Sequence, residues 1–172
     1  MTGSMNSTNT NVGGWPATEA RELANGEYFY YLPSDLQKVI TDTKVISGHG
    51  RDDKNNKRTD GNWESTDKLY LLSPHEVWAD VTSNQGDTAW NNTRQLDYYK
   101  ARNVTLDGHW SSAMKWINTN KMAYSWWLRT ADSPFDFSFL NASNTGTFSY
   151  SHASNASGFA PAFRIGENVN NV

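Results

Sequence analysis

Apolar and aromatic residues concentrate at two places near the carboxyl end, with a polar stretch between them. Ser125-Trp126-Trp127-Leu128-Arg129-Thr130 opens the region and Gly158-Phe159-Ala160-Pro161-Ala162-Phe163-Arg164-Ile165 closes it. Both predict short strands, being rich in aromatic and aliphatic residues and bounded by turn formers. The intervening Ala131 to Ser157 uses a narrow alphabet with no Lys, Arg, Glu, Gln, Met or Trp. It carries Phe135, Phe137, Phe139, Phe148 and Tyr150, too many aromatics for a disordered linker. Tyr with Ser, Gly and Asn is also the palette of antibody binding loops, in which flat rings supply contact area at low entropy cost. An ordinary polar hairpin is the plainer alternative.

The rest of the pattern predicts short elements. Pro16 at a first helical position and Glu19 in the first turn start a helix at 16–24, and Asn25-Gly26 stops it. Leu32, Leu36, Val39 and Ile40 form one helical stripe, predicting a second helix at 33–40. Lys44 to Ser47 and Lys68 to Leu72 predict strands. Ser73-Pro74-His75-Glu76 reads as a capping box opening a helical turn that reaches Trp78, which makes His75 a surface helix residue. Leu96 to Ala101 predicts a further helical turn. Trp90, Trp110, Met114, Trp116 and Ile117 are expected to pack in the core. The stretch 48–66 reads as a solvated loop. Its acidic residues Asp52, Asp53 and Asp60 fail the calcium-loop pattern, which breaks at Lys57 and Arg58.

Composition narrows the classes. The 172 residues suit one domain with a real core. A net charge of −3 gives no electrostatic footprint for nucleic acid or an anionic membrane surface. No run approaches the length of a membrane-spanning helix. Without cysteine, disulfides, thiolate catalysis and Cys-ligated zinc are excluded. His49, His75, His109 and His152 stand far apart in unlike contexts, with no metal-ligand spacing, and no nucleophile or phosphate-loop motif occurs. The expectation is therefore a non-catalytic domain with no cofactor and no metal. The 8 Trp and 8 Tyr each need a partner for a polar tip once buried. Residues 1–12 read as a disordered lead or tag, and 13–168 as a single domain.

Five motifs occur in order: Gly13-Gly14-Trp15; Leu32 through Ile40; Thr66 through Ser73 with Glu76-Val77; Trp126-Trp127-Leu128-Arg129; and Gly158 through Ile165. In this order and spacing the chain resembles an uncharacterised bacterial and phage domain family whose members end in WWLR, an Asn/Ser run and a GxxPAFxI-like segment. That family looks like the C-type lectin-like fold in its formylglycine-generating-enzyme-like variety. The resemblance implies an α+β domain in which two helices flank small twisted antiparallel sheets with long loops. The formylglycine-generating enzymes of this fold depend on cysteines, which this chain lacks. The same fold carries the variable proteins of diversity-generating retroelements, whose template adenines are randomised. Every residue type from Ala131 to Ser157 can be reached from an AAC codon by changing adenines alone, so 131–157 is a candidate variable region.

The resemblance implies a receptor-binding domain on a phage virion or bacterial surface, with a protein or glycan ligand on a target cell. Phe135, Phe137, Tyr150 and His152 are the candidate anchors. Asp132, Asp136, Ser138, Asn144, Thr147, Ser149 and Asn155 are the candidate polar contacts. Phe135, Phe137 and Phe139 alternate and would share one face of a single strand, so a core role for the trio stands beside the contact role. Arg129 and Arg164 sit in apolar strands and are read as structural donors to carbonyls or a carboxylate. A fixed glycan-binding or structural module of a larger surface protein is the alternative function.

Overall fold

The computed structural model describes residues 1–53, 61–82, 93–117 and 122–166. Trp90, most of the candidate calcium loop and the expected boundary at residue 168 lie outside these. In chain order the elements are β1 (Thr2–Gly3), α1 (Glu19–Leu23), α2 (Ser34–Val39), β2 (Ile40–Thr41), β3 (Thr43–Ser47), β4 (Trp63–Asp67), α3 (Pro74–Val77) and α4 (Asp97–Lys100). There follow β5 (Lys115–Ile117), β6 (Met122–Tyr124), β7 (Trp126–Ala131), β8 (Ser138–Ala142), β9 (Phe148–His152), β10 (Ser157–Gly158) and β11 (Arg164–Ile165). Short helices and small sheets make this an α+β domain. The main sheet runs β1-β10-β7-β8-β9, and the pairs β11-β2, β3-β4 and β5-β6 form two-stranded sheets.

β7 and β8 are buried along their whole length, so their apolar residues do not alternate with exposed ones, and Arg129, Thr130, Ser138 and Asn141 are buried among them. Trp127, Ala131 and Phe139 enter one core with Met5, Trp15 and Phe29. Trp126, Leu128, Leu140 and Ala142 enter another with Val77, Trp78 and Tyr99. The sheet thus separates two cores, and its middle strands have no solvent face. Three buried indole N–H groups find acceptors: Trp126 donates to Ala113 O and Trp127 to Gly3 O, both at 2.8 Å, and Trp15 to Asp67 Oδ2 at 2.9 Å, whereas the buried Trp78 Nε1 has no partner among the described residues.

Residues 1–12 are not a disordered lead. β1 pairs with β10, Met5 is fully buried, and the Met5 and Asn6 N–H groups both donate to Ala153 O. The segment covers apolar surface that β7 and β10 would otherwise expose. Asn25-Gly26 does not stop the first helix, which continues as a π-helical turn over Ala24–Tyr28. The Asn25 side chain instead receives the N–H groups of Lys68 and Leu69 and donates to Leu69 O at 2.9 Å.

That contact bears on Lys68 to Leu72, which bends at Lys68 and Leu69, is buried from Leu69 onward and forms no strand, only an isolated bridge between Tyr70 and Ala162. Asn25, Ala162 and Arg129 satisfy its backbone in place of a ladder. The closing stretch from Gly158 is likewise broken, with strand pairing at its two ends and the single Ala162 bridge between them. The described parts of the stretch 48–66 are less solvated than expected. Asp53 is buried, receiving Gly13 N–H at 3.0 Å and Trp63 Nε1–H at 3.3 Å, and β4 occupies the loop's end. Trp116 is not core but 59% exposed, because the β5–β6 hairpin pairs with no other strand among the described residues. The Glu76 carboxylate accepts from the Ser73 N–H at 2.7 Å, the reach-back half of a capping box.

Candidate functional site

β8 and β9 form a hairpin whose outer strand, β9, is an edge of the main sheet. In β9, Tyr150 and His152 are exposed while Ser149 and Ser151 are half-buried. The turn joining the strands is closed by Ser143 N–H to Thr147 O at 2.8 Å and by the Ser143 and Thr147 hydroxyls at 2.6 Å. Gly146 takes φ 78° there, and a Cβ at that position would run into Trp110 O, so the turn is pressed onto the 110 loop.

At the other end of the hairpin, four rings chosen from the sequence come together. Phe135 and Phe137 lie 5.1 Å apart between centroids, Phe135 and Tyr150 5.8 Å, and Phe137 and His152 4.9 Å. Tyr150 is 53% exposed and the two phenylalanines are half-buried. Phe135 and Phe137 precede β8 and so escape the face that buries Phe139. Asp136 stands between them and accepts from Arg51 Nη2 at 2.7 Å, placing an ion pair at the rim.

The polar candidates divide. Asp132 and Ser138 are buried, not displayed. Ser138 Oγ donates to Asp132 Oδ2 at 3.0 Å, and the Asp132 N–H donates to Ser138 O, closing the 132–138 loop from inside. Burial pushes the Asp132 carboxyl above its ordinary value, and the Ser138 hydrogen bond partly opposes that. Thr147 is half-buried and bound within the turn, and Ser149 is half-buried in β9. Asn144 is exposed but belongs to the turn, at the opposite end of the hairpin from the rings. Asn155 is exposed just past His152, whose carbonyl accepts its N–H at 2.9 Å.

Three residues that the sequence reading passed over support the site. Asn11 is fully buried, and its Nδ2 donates to Ser138 O at 2.8 Å and Phe135 O at 3.0 Å, while its N–H donates to Asp136 O. Arg51 N–H also donates to Phe135 O at 3.0 Å. Asn9 lies beside His152, its Nδ2 3.4 Å from the ring Nδ1, and its Oδ1 accepts from Ser154 Oγ at 2.6 Å. Asn9 and Asn11 belong to the stretch expected to be disordered, and nothing local distinguishes a pegging asparagine from a solvated one. Among the described residues no group of His, Asp or Glu is placed to hold a metal ion, and no helix is long and apolar enough to cross a membrane.

Residues 2–166, nearly the whole chain, match the model of a domain of unknown function, DUF6273. The chain belongs to the DUF6273 family. The matched span begins inside β1, in keeping with an amino-terminal segment that is part of the DUF6273 domain. No curated protein and no solved structure matches the chain.

Proposed function

We propose that this DUF6273 domain is a non-catalytic binding module, of C-type lectin-like fold, that presents the ring cluster of its carboxyl-terminal hairpin to a protein or glycan on a target-cell surface. The observation that carries this is the convergence of Phe135, Phe137, Tyr150 and His152 at one sheet edge, with the Arg51–Asp136 pair beside them. Partly exposed rings bordered by charge have the make-up of a binding hot spot. Rings held on a rigid hairpin lose little entropy on contact. Diversification by a retroelement is part of the proposal, and burial limits its reach. Ser138, Phe139, Leu140, Asn141, Ala142 and Ala153 are buried, so tolerated change concentrates at 135–137, 144–145, 150, 152 and 154–156. The same burial favours the second reading, a fixed glycan-binding or structural module of a phage or bacterial surface protein.

The test is binding of the wild-type chain to arrayed glycans and target-cell surface proteins, repeated with Tyr150→Ala and His152→Ala. Each substitution is expected to weaken binding on the order of 2 kcal/mol, roughly thirtyfold, without lowering the melting temperature. Binding that survives both changes, or a Tyr150→Ala chain that unfolds, removes the assignment. For diversification, the coding DNA is expected to have a nearby near-copy of the 131–157 segment, beside a reverse transcriptase gene. The copy should carry adenines where the two differ. Its absence leaves the fixed module.

A further inference from the structure

A groove of about 790 Å³ opens on a part of the molecule that no residue of 131–157 lines. Its volume is that of a small-molecule site. Four cationic side chains line it, Lys44, Arg94, Arg129 and Arg164, against a single carboxylate, Glu76. That carboxylate is already engaged. Glu76 Oε2 accepts both Ser73 N–H at 2.7 Å and Arg129 Nη1–H at 2.5 Å. Lys44 and Arg94 pair outside the groove wall with Glu64 and Asp97, through side chains exposed enough for the pairs to be readily exchanged. Arg164 is exposed and makes no ion pair among the described residues.

Arg129 is the built part of the site. It is 2% exposed and held by Ile46 O at 2.6 Å through Nε and by Leu71 O at 2.8 Å through Nη1, so its position is preset. Its Nη2 takes no partner among the described residues. Beside these cations the wall is apolar and aromatic, formed by Tyr70, Leu72 and Phe163. A guanidinium fork favours a planar carboxylate, and an aromatic wall favours a compact apolar body joined to it.

We infer that the groove is a second ligand site, for a small carboxylate with a compact apolar body, its charge met by Arg129 and Arg164 and its body laid against Tyr70 and Phe163. The site is independent of the hairpin rings.

The experiment is a heteronuclear NMR titration of the intact chain with benzoate, and with benzyl alcohol as the uncharged counterpart. Benzoate is expected to shift the amides of residues 44–46, 70–72 and 162–164 saturably. Benzyl alcohol is expected to bind at least about tenfold more weakly, and added salt to weaken benzoate. Arg164→Glu should abolish the shifts. Arg94→Gln, also at an exposed side chain, should weaken them as an independent reading, and Tyr150→Ala should leave them unchanged. Absence of groove shifts with benzoate, equal affinity for benzyl alcohol, or undiminished binding by both arginine variants would overturn the site.

Discussion

Asn11 Nδ2 lies 3.0 Å from the carbonyl oxygen of Phe135, tying a residue near the amino terminus to the loop that carries half of the ring cluster. The same nitrogen reaches Ser138 O at 2.8 Å, so one side-chain amide spans both ends of the 135–138 segment. The cluster is thus held in place from the opposite end of the chain. Asn11→Ala would remove the side-chain donor from both carbonyls, which keep the Arg51 and Asp132 N–H groups, and a loss of about 2 kcal/mol in urea unfolding is the expected outcome. Asn11→Asp should be worse, because it sets a carboxylate among carbonyl oxygens. Equal stability of both variants and wild type would show that the loop is held otherwise.

Arg129 joins β7 to two segments that it does not pair with in the sheet. The register between β7 and β8 shifts between Trp127 and Ala131, and there the Arg129 N–H donates to Leu72 O at 3.0 Å. The side chain adds Ile46 O, Leu71 O and Glu76. Arg129→Met strands Glu76 and two carbonyls, so a cost of about 3–5 kcal/mol is expected. Arg129→Lys keeps the charge but not the fork and should recover only part of it. Thermal unfolding followed by tryptophan fluorescence reads both.

Gly146 permits the turn and its contact with Trp110. Its φ of 78° disfavours any side chain, and an added Cβ would meet the Trp110 backbone. Gly146→Ala is expected to destabilise the domain by more than about 1 kcal/mol, beyond the ordinary conformational penalty, and to loosen the hairpin. Hydrogen exchange at residues 143–149 is the sensitive measurement, because a strained turn opens before the sheet does.

Asp132 gives a pH dependence with a definite sign. Its carboxyl is raised above the usual value of 3.8 by burial. Above that value the unfolded chain releases this proton before the folded chain does. This group's contribution to stability therefore falls as pH rises from the unfolded value through the folded one, and is greatest below that window. Asp132→Asn keeps an acceptor for the Ser138 hydroxyl without the charge. A melting temperature at pH 7 equal to or above wild type is expected, with a flatter profile across the acidic range. A lower melting temperature would mean that the ionised carboxylate is needed.

Much of the architecture is readable in the amino-acid order because it depends on near neighbours. The stripe Leu32, Leu36, Val39 marks α2, which spans Ser34–Val39, and Ser73 with Glu76 marks the start of α3. The apolar run Trp126-Trp127-Leu128 marks a strand covered on both faces. The aromatic residues of 131–157 mark a folded segment, and the four candidate rings gather where its 132–138 loop meets β9. These follow from periodicity, turn chemistry and capping, all local properties of a chain.

Which side of a surface is covered is not local. Phe139 turns inward while Phe135 and Phe137 do not, because β8 begins between them and its neighbours close over Phe139 alone. Asp132 and Ser138 were chemically as suited to display as Asp136, and they face inward because the amino-terminal segment closes the loop over them. Trp116 stays exposed because its hairpin pairs with no other strand among the described residues. Burial is a property of two segments at once. When the partner lies a hundred residues away, as Asn11 does from Phe135, no pattern in either stretch alone records it.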